Sequence, residues 1–104
     1  MSTPLVMPNI DLDTKILAVR DVLSAELGDE ISLLNVKSGT YFTLNPVGAS
    51  VWRQIQIATS LAKIKVQILS EYDVEDQRCE SDLRQLLMEL EASGLIEIVS
   101  ACHP

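Results

Sequence analysis

Few side chains in this chain of 104 residues could do chemistry. Cys79 and Cys102 are its two cysteines, and His103 is its one histidine. Cys102 and His103 are neighbours beside the terminal Pro104, and a frayed chain end does not hold a nucleophile and a base in a fixed geometry. Together with Cys79 they lack the spacing of a metal site. We therefore expect no catalytic residue and no metal site.

Composition and motifs exclude further classes. There is no Gly-rich phosphate loop, no Ser/His/Asp set and no nucleotide fingerprint, so we expect neither an enzyme nor a cofactor. Asp and Glu number 15 against 8 Lys and Arg, giving a net charge of −7. Nucleic-acid binders need a basic face, so no nucleic-acid partner is expected. No apolar run reaches the roughly 18 residues of a membrane span, and no signal peptide is recognisable. A cytoplasmic protein without a membrane partner is expected.

The stretch Leu33–Ile55 organises the chain. Lys37-Ser38-Gly39 is a tight turn, and Gly39 suits its left-handed position. The flanking segments 31–36 and 40–44 are rich in β-branched and aromatic residues, which are typical of strands. With a strand at 22–27 and a turn at 28–30, they predict an antiparallel meander of three strands.

Three helices are predicted after the meander. Asn45 is an N-cap followed by Pro46 at the first helical position, and Thr59-Ser60 offers the cap of a second helix. A third helix runs from about Glu75 to Ser93, with Gly94 as its C′ residue. Its apolar stripe is predicted to be core and consists of Cys79, Leu83, Leu86, Leu87 and Leu90.

The predicted class is α+β and winged-helix-like: a three-stranded antiparallel sheet followed by three helices. We expect a flexible N-terminal arm over residues 1–15, one domain over 16–99, and a C-terminal tail over 100–104. Residues 95–99 are predicted to form a short final strand or an extended segment.

The outer edge of the third strand is a candidate binding surface. Segment 40–44 contains no proline and no charge, whereas edges that must avoid pairing usually carry such residues. An uncharged edge suits the addition of an extended peptide as a further strand. The alternative is that residues 95–99 cover this edge within the same chain.

The same stretch resembles the PqqD family. The resemblance rests on Ser-Gly-Thr-Tyr-Phe-Thr-Leu-Asn, then Pro-Val-Gly-Ala and a helix containing Trp52, and on Ser93-Gly94-Leu95-Ile96 after the third helix. It covers residues 22–98 and is most similar to stand-alone members beside lasso-peptide enzymes. It implies a recognition domain that binds the leader segment of a ribosomally made precursor peptide. It also implies presentation of that peptide to a leader peptidase, a cyclase or a radical enzyme.

The resemblance also implies where the leader lies, as a fourth strand in a groove walled by the third helix. On this chain, one wall is Thr40, Tyr41, Phe42, Thr43 and Leu44. For the helix wall we favour Asp82, Gln85, Leu86 and Glu89, because Asp82 could meet a leader Lys or Arg. The opposite flank, with Arg84, Leu87 and Met88, is the alternative.

Three other hypotheses stay open at this point. The fold class permits a winged-helix DNA-binding regulator, although the charge opposes it. A small enzyme or a metal-binding protein is a further alternative. The free strand edge could also pair with a second copy of the chain and form a homodimer.

Overall fold

The computed structural model describes residues 10–99, which form six strands and three helices. In chain order they are β1 (Lys15–Ala18), β2 (Val22–Leu27), β3 (Glu30–Asn35), β4 (Thr40–Leu44), α1 (Pro46–Gln54), β5 (Thr59–Ser60), α2 (Leu61–Glu71), α3 (Asp76–Ala92) and β6 (Ile96–Val99).

The predicted meander is confirmed as the antiparallel sheet β2-β3-β4. Both of its turns depend on a glycine with positive φ: Gly28 at 67° and Gly39 at 74°. These angles are strained for residues with a Cβ atom. Leu33 pairs with Ser24 on one side and with Phe42 on the other. Side chains alternate between the two faces of a sheet, and the face that carries Ile31 and Leu33 lies against the core.

The predicted helix caps are confirmed as well. The Asn45 side chain accepts a hydrogen bond from the Gly48 N–H at 2.8 Å, and Ser60 Oγ accepts one from the Lys63 N–H at 3.3 Å. Gly94, which follows the C-cap residue Ser93 of α3, has φ 74°. Gly48 allows a close approach, because a Cβ there would lie 3.1 Å from Leu44 Cδ2.

A second antiparallel sheet, with the order β5-β1-β6, was not predicted. Residues 95–99 were expected as a strand or tail and could have covered β4. Instead β6 pairs with β1, Ile16 lying opposite Ile98. This second sheet closes the domain by bringing the two ends of the described chain together.

The segment before β1 packs on the body within the described residues. Ile10 is 3% exposed, and the N–H groups of Leu61 and Ala62 donate to the carbonyls of Thr14 and Leu12. These bonds satisfy free donors in the first turn of α2. Residues 10–14 of the expected flexible arm therefore have fixed contacts. Its first nine residues and the tail 100–104, with Cys102 and His103, lie outside the described residues.

One hydrophobic core joins both sheets and all three helices, as the predicted α+β class requires. Its fully buried side chains come from most of the strands and helices and from the residues that flank them, and include Ile16, Leu33, Leu44, Ile55, Leu61, Ile64, Leu83, Leu87 and Leu95. Across residues 10–99, no helix is long and apolar enough to cross a membrane.

Candidate functional site

The edge of β4 is open along its length in the part of the chain that the structure describes, since β4 pairs only with β3. The register shows which backbone groups point outward. Val36 N–H donates to the Asp21 carbonyl, so the backbone N–H and C=O of Val36 point toward β2. Because these directions alternate along a strand, the backbone groups of Ile31, Leu33 and Asn35 point toward β4.

The partners of these three β3 residues are Leu44, Phe42 and Thr40, whose backbone groups therefore face β3. The residues between them, Tyr41 and Thr43, point their N–H and C=O groups to the open side. Two residues of β4 thus offer a peptide strand a complete set of donors and acceptors.

The side chains of β4 alternate in the same way. Tyr41, 75% exposed, and Thr43 lie on the outer face of the sheet. Thr40 and Phe42 are half-buried on the helix side, and Leu44 is a core residue with 1% exposure. Of the five predicted strand residues, Leu44 thus has neither its backbone nor an exposed side chain at the open edge.

Helix α3 lies alongside β4 in the opposite direction. At one end, Asn45, which follows β4, and Asp82 of α3 line the same cavity. At the other end, Asn35, opposite Thr40 in the ladder, donates from Nδ2 to the carbonyl of Gly94 at 2.8 Å. We call the space between the open edge of β4 and α3 the groove.

An apolar cavity of about 250 Å³ lies at the Asn45 end of the groove. Helix α1 contributes Val47 and Gly48, and Val74 comes from the loop before α3. The remaining lining comes from Ile68 and from Arg78, Cys79, Asp82, Leu83 and Leu86 of α3. Burial raises the pKa of the Cys79 thiol, so this wall is neutral except at its rim.

The predicted helix residues divide into two groups. Asp82 and Leu86 line the cavity, and Leu86, which was predicted both for the core stripe and for the helix wall of the groove, is half-buried there. Gln85 and Glu89 are exposed and hydrogen-bond to each other at 3.4 Å, outside the cavity lining. Helical spacing nevertheless places Glu89 on the same flank as Asp82, nearer the end of α3.

The alternative flank is occupied by internal contacts. Leu87 is fully buried. Arg84 Nη2 lies 2.8 Å from Glu80 Oε2, and Glu80 Oε1 is also paired with Lys65 of α2. This flank therefore faces α2 rather than the groove, while Met88 is half-buried.

Sequence reasoning missed Arg78 and Val74 as cavity residues. Arg78 Nε lies 3.9 Å from Asp82 Oδ2, an exposed i,i+4 pair. That spacing is readable from the sequence, but its position at the cavity rim depends on how α3 packs on α1. The rim thus carries one positive and one negative side chain, whereas β4 carries none.

No metal-binding arrangement competes with the groove inside residues 10–99. No three His, Cys, Asp or Glu side chains are grouped so that they could hold a metal ion. The arrangement offers backbone hydrogen bonds, an apolar cavity and a polar rim, which are features of peptide recognition.

Comparison with known proteins gives one family and two solved structures. Residues 30–96 match the family described as coenzyme PQQ synthesis protein D (PqqD). No curated protein matches the chain.

Both structures contain leader peptides. TbiB1 in complex with the TbiA(beta) leader peptide is 34% identical with a TM-score of 0.72, and the match covers 78% of this chain and 94% of that one. A lasso peptide synthetase B1 complexed with the leader peptide is 26% identical with a TM-score of 0.69, and the match covers 79% of this chain and 96% of that one.

Proposed function

The chain belongs to the PqqD family, and on that premise we propose that it binds the leader segment of a ribosomally made precursor peptide. The observation that carries the proposal is the open, uncharged edge of β4 beside an apolar cavity. The leader peptides in both similar structures support the same interpretation.

The proposed mode is strand addition. The leader hydrogen-bonds to the outward backbone groups of Tyr41 and Thr43 and becomes a fourth strand of the sheet β2-β3-β4. Alternate leader side chains then point to opposite faces. Those on the helix side meet Phe42 and Leu86, and one of them enters the cavity.

The cavity favours an apolar leader side chain, because its lining is mainly aliphatic. Burying one such side chain contributes about 1.5–3 kcal/mol. Asp82 at the rim suits a neighbouring leader Lys or Arg in competition with Arg78, and Gln85 and Glu89 continue this polar rim along α3. Backbone pairing would thus give affinity, and the cavity and rim would select the leader.

The proposed role is non-catalytic presentation. The protein would hold the leader while the rest of the precursor reaches a biosynthetic enzyme such as a leader peptidase, a cyclase or a radical enzyme. The domain 16–99 would carry this role in the cytoplasm, where the precursor is made. A DNA-binding regulator is disfavoured because 15 acidic residues oppose 8 basic ones.

The test is a titration of isotope-labelled protein with two synthetic peptides. The first is the leader of the precursor encoded beside this protein's gene, and the second is the TbiA(beta) leader. We expect backbone amide shifts along 40–44 and at Asp82 and Leu86, with small changes on the α2 side of α3. If neither peptide binds with a Kd below the millimolar range, the proposal is wrong.

A further inference from the structure

Asn35 is a buried polar residue at the hairpin end of the groove. Its exposure is 8%, and three of its hydrogen-bonding positions are used. Oδ1 accepts from the N–H groups of Lys37 and Ser38 at 2.9 and 3.2 Å, and Nδ2 donates to the Gly94 carbonyl at 2.8 Å. One side chain thus holds the β3–β4 turn with its acceptor and the end of α3 with its donor.

The contact with Gly94 is close and specific. A Cβ at position 94 would lie 2.9 Å from Asn35 Nδ2, and the φ of 74° there also favours glycine. Within residues 10–99, the bond from Nδ2 is the only hydrogen bond that joins the β3–β4 hairpin to α3 or the residue pair after it. Elsewhere along the groove, Phe42 of β4 and Leu86 of α3 are half-buried and pack against the hydrophobic core.

We propose that Asn35 is a positioning residue for leader binding, which sets the separation of β4 and α3 at the hairpin end of the groove. The inference rests on the proposed function. A groove whose two walls are already held apart at the right distance loses less conformational freedom when the peptide enters. Without the donor, this end of the groove must be ordered by the peptide itself.

Asn35→Asp is the sharpest variant. It keeps the size of the side chain and an oxygen for the N–H groups of Lys37 and Ser38, but it places a second acceptor against the Gly94 carbonyl. We expect leader affinity to fall about tenfold, since one hydrogen bond is lost and a repulsion is added. Ser38→Ala is the matched control. It removes the bond that Ser38 Oγ donates to Thr40 Oγ1 and the bond that it accepts from the Thr40 N–H, without touching α3. The leader affinity of this variant should stay within about twofold of the wild type.

Affinity is measured well below the melting temperature of each variant, with the full leader and with two fragments shortened from opposite ends. A positioning role predicts that one fragment, which no longer reaches the hairpin end, binds the wild type and Asn35→Asp equally. Equal weakening for both fragments would indicate general loosening and overturn the inference. If the wild type binds the full leader and Asn35→Asp binds it equally well, the inference fails while the proposed function stands. If the wild type binds neither leader, both fail.

A measurement on the wild type covers the case in which the variant does not fold. The side-chain amide protons of Asn35 should exchange more slowly once the full leader is bound, because the peptide closes that end of the groove. The fragment that does not reach the hairpin should leave the exchange rate unchanged. Saturation with the full leader without any change in this rate would overturn the inference.

Discussion

The two flanks of α3 differ in the contacts that their side chains make. On the flank that faces α2, charges are matched within the chain: Lys65 Nζ lies 2.9 Å from Asp76 and 3.1 Å from Glu80, and Glu80 also holds Arg84. On the flank that faces the groove, Leu86 is half-buried against a cavity, and the only ion pair of Asp82 within residues 10–99 is with Arg78 at 3.9 Å. The charged side chains of one flank contribute to the fold, and the other flank is the one at which we propose that the leader binds.

This difference separates stability from binding along a single helix. A substitution on the α2 side should change the free energy of unfolding and leave the leader Kd alone. A substitution at the groove should do the reverse. Each of the following experiments tests that separation.

The largest effect is expected at the open edge of β4. Thr43→Pro removes an outward N–H that no described strand uses, so the fold should persist while leader binding falls more than about a hundredfold. The loss combines a missing ladder bond with a ring that prevents the leader from approaching. Leader Kd by titration and the thermal midpoint by circular dichroism are the two measurements.

Two proline variants serve as controls for this result. Ser24→Pro lies in β2, at the opposite edge of the sheet, where the backbone N–H of Ser24 also points away from β3. It should keep its leader affinity. Phe42→Pro removes an N–H that faces β3 and should unfold the sheet. If Thr43→Pro is folded and binds like the wild type, strand addition at β4 is wrong.

Local signals account for what the sequence predicts well. Gly39, Asn45, Ser60 and Gly94 each fix a turn or a helix end through their own backbone angles or side chains, and the structure places all four as expected. The sheet β5-β1-β6 escapes prediction because β1 and β6 are short and pair across about eighty residues. Such pairing is set by tertiary packing rather than by local sequence.

Only one wall of the groove, the edge of β4, could be predicted from the sequence, for the same reason. The uncharged run 40–44 marks the edge, but the sequence does not choose between the flanks of α3. That choice depends on Lys65, whose pairing with Asp76 and Glu80 assigns the second flank to α2. The side chain of Leu86 belongs to the core stripe by spacing, yet the cavity beside it leaves it half-buried.

A smaller effect is expected from Leu86→Lys. The introduced charge would lie at the apolar cavity, where the proposed leader side chain is buried, so leader affinity should fall about 10- to 100-fold. Val66→Lys makes the same kind of change on an α2 residue that is 67% exposed and outside the cavity lining. Equal losses in the two variants would mean that added charge, not the groove, decides binding.

On the other flank, Lys65→Met should reduce stability without changing the leader Kd. Methionine keeps the approximate length of the side chain but removes both ion pairs of Lys65, so that Asp76 loses its partner and Glu80 keeps only Arg84 among the described residues. Unfolding in urea, followed by the fluorescence of Trp52, should show a modestly lower midpoint. A weaker leader affinity in the folded variant would break the separation between the two flanks.

The smallest effect is the pH dependence of that stability difference. Hydrogen bonds to Asp76 first, and then to Glu80, raise the pKa of Lys65 above its ordinary value of 10.5. The folded state therefore keeps this proton at a pH where the unfolded chain has lost it, so stability falls as pH rises through this window. The contribution is complete below pH 10.5 and is lost as pH passes the folded pKa. The gap between the wild type and Lys65→Met in the free energy of unfolding should stay constant from pH 7 to about 10 and narrow above it. A gap that stays constant up to about pH 12 would mean that the Lys65 charge does not hold α2 to α3.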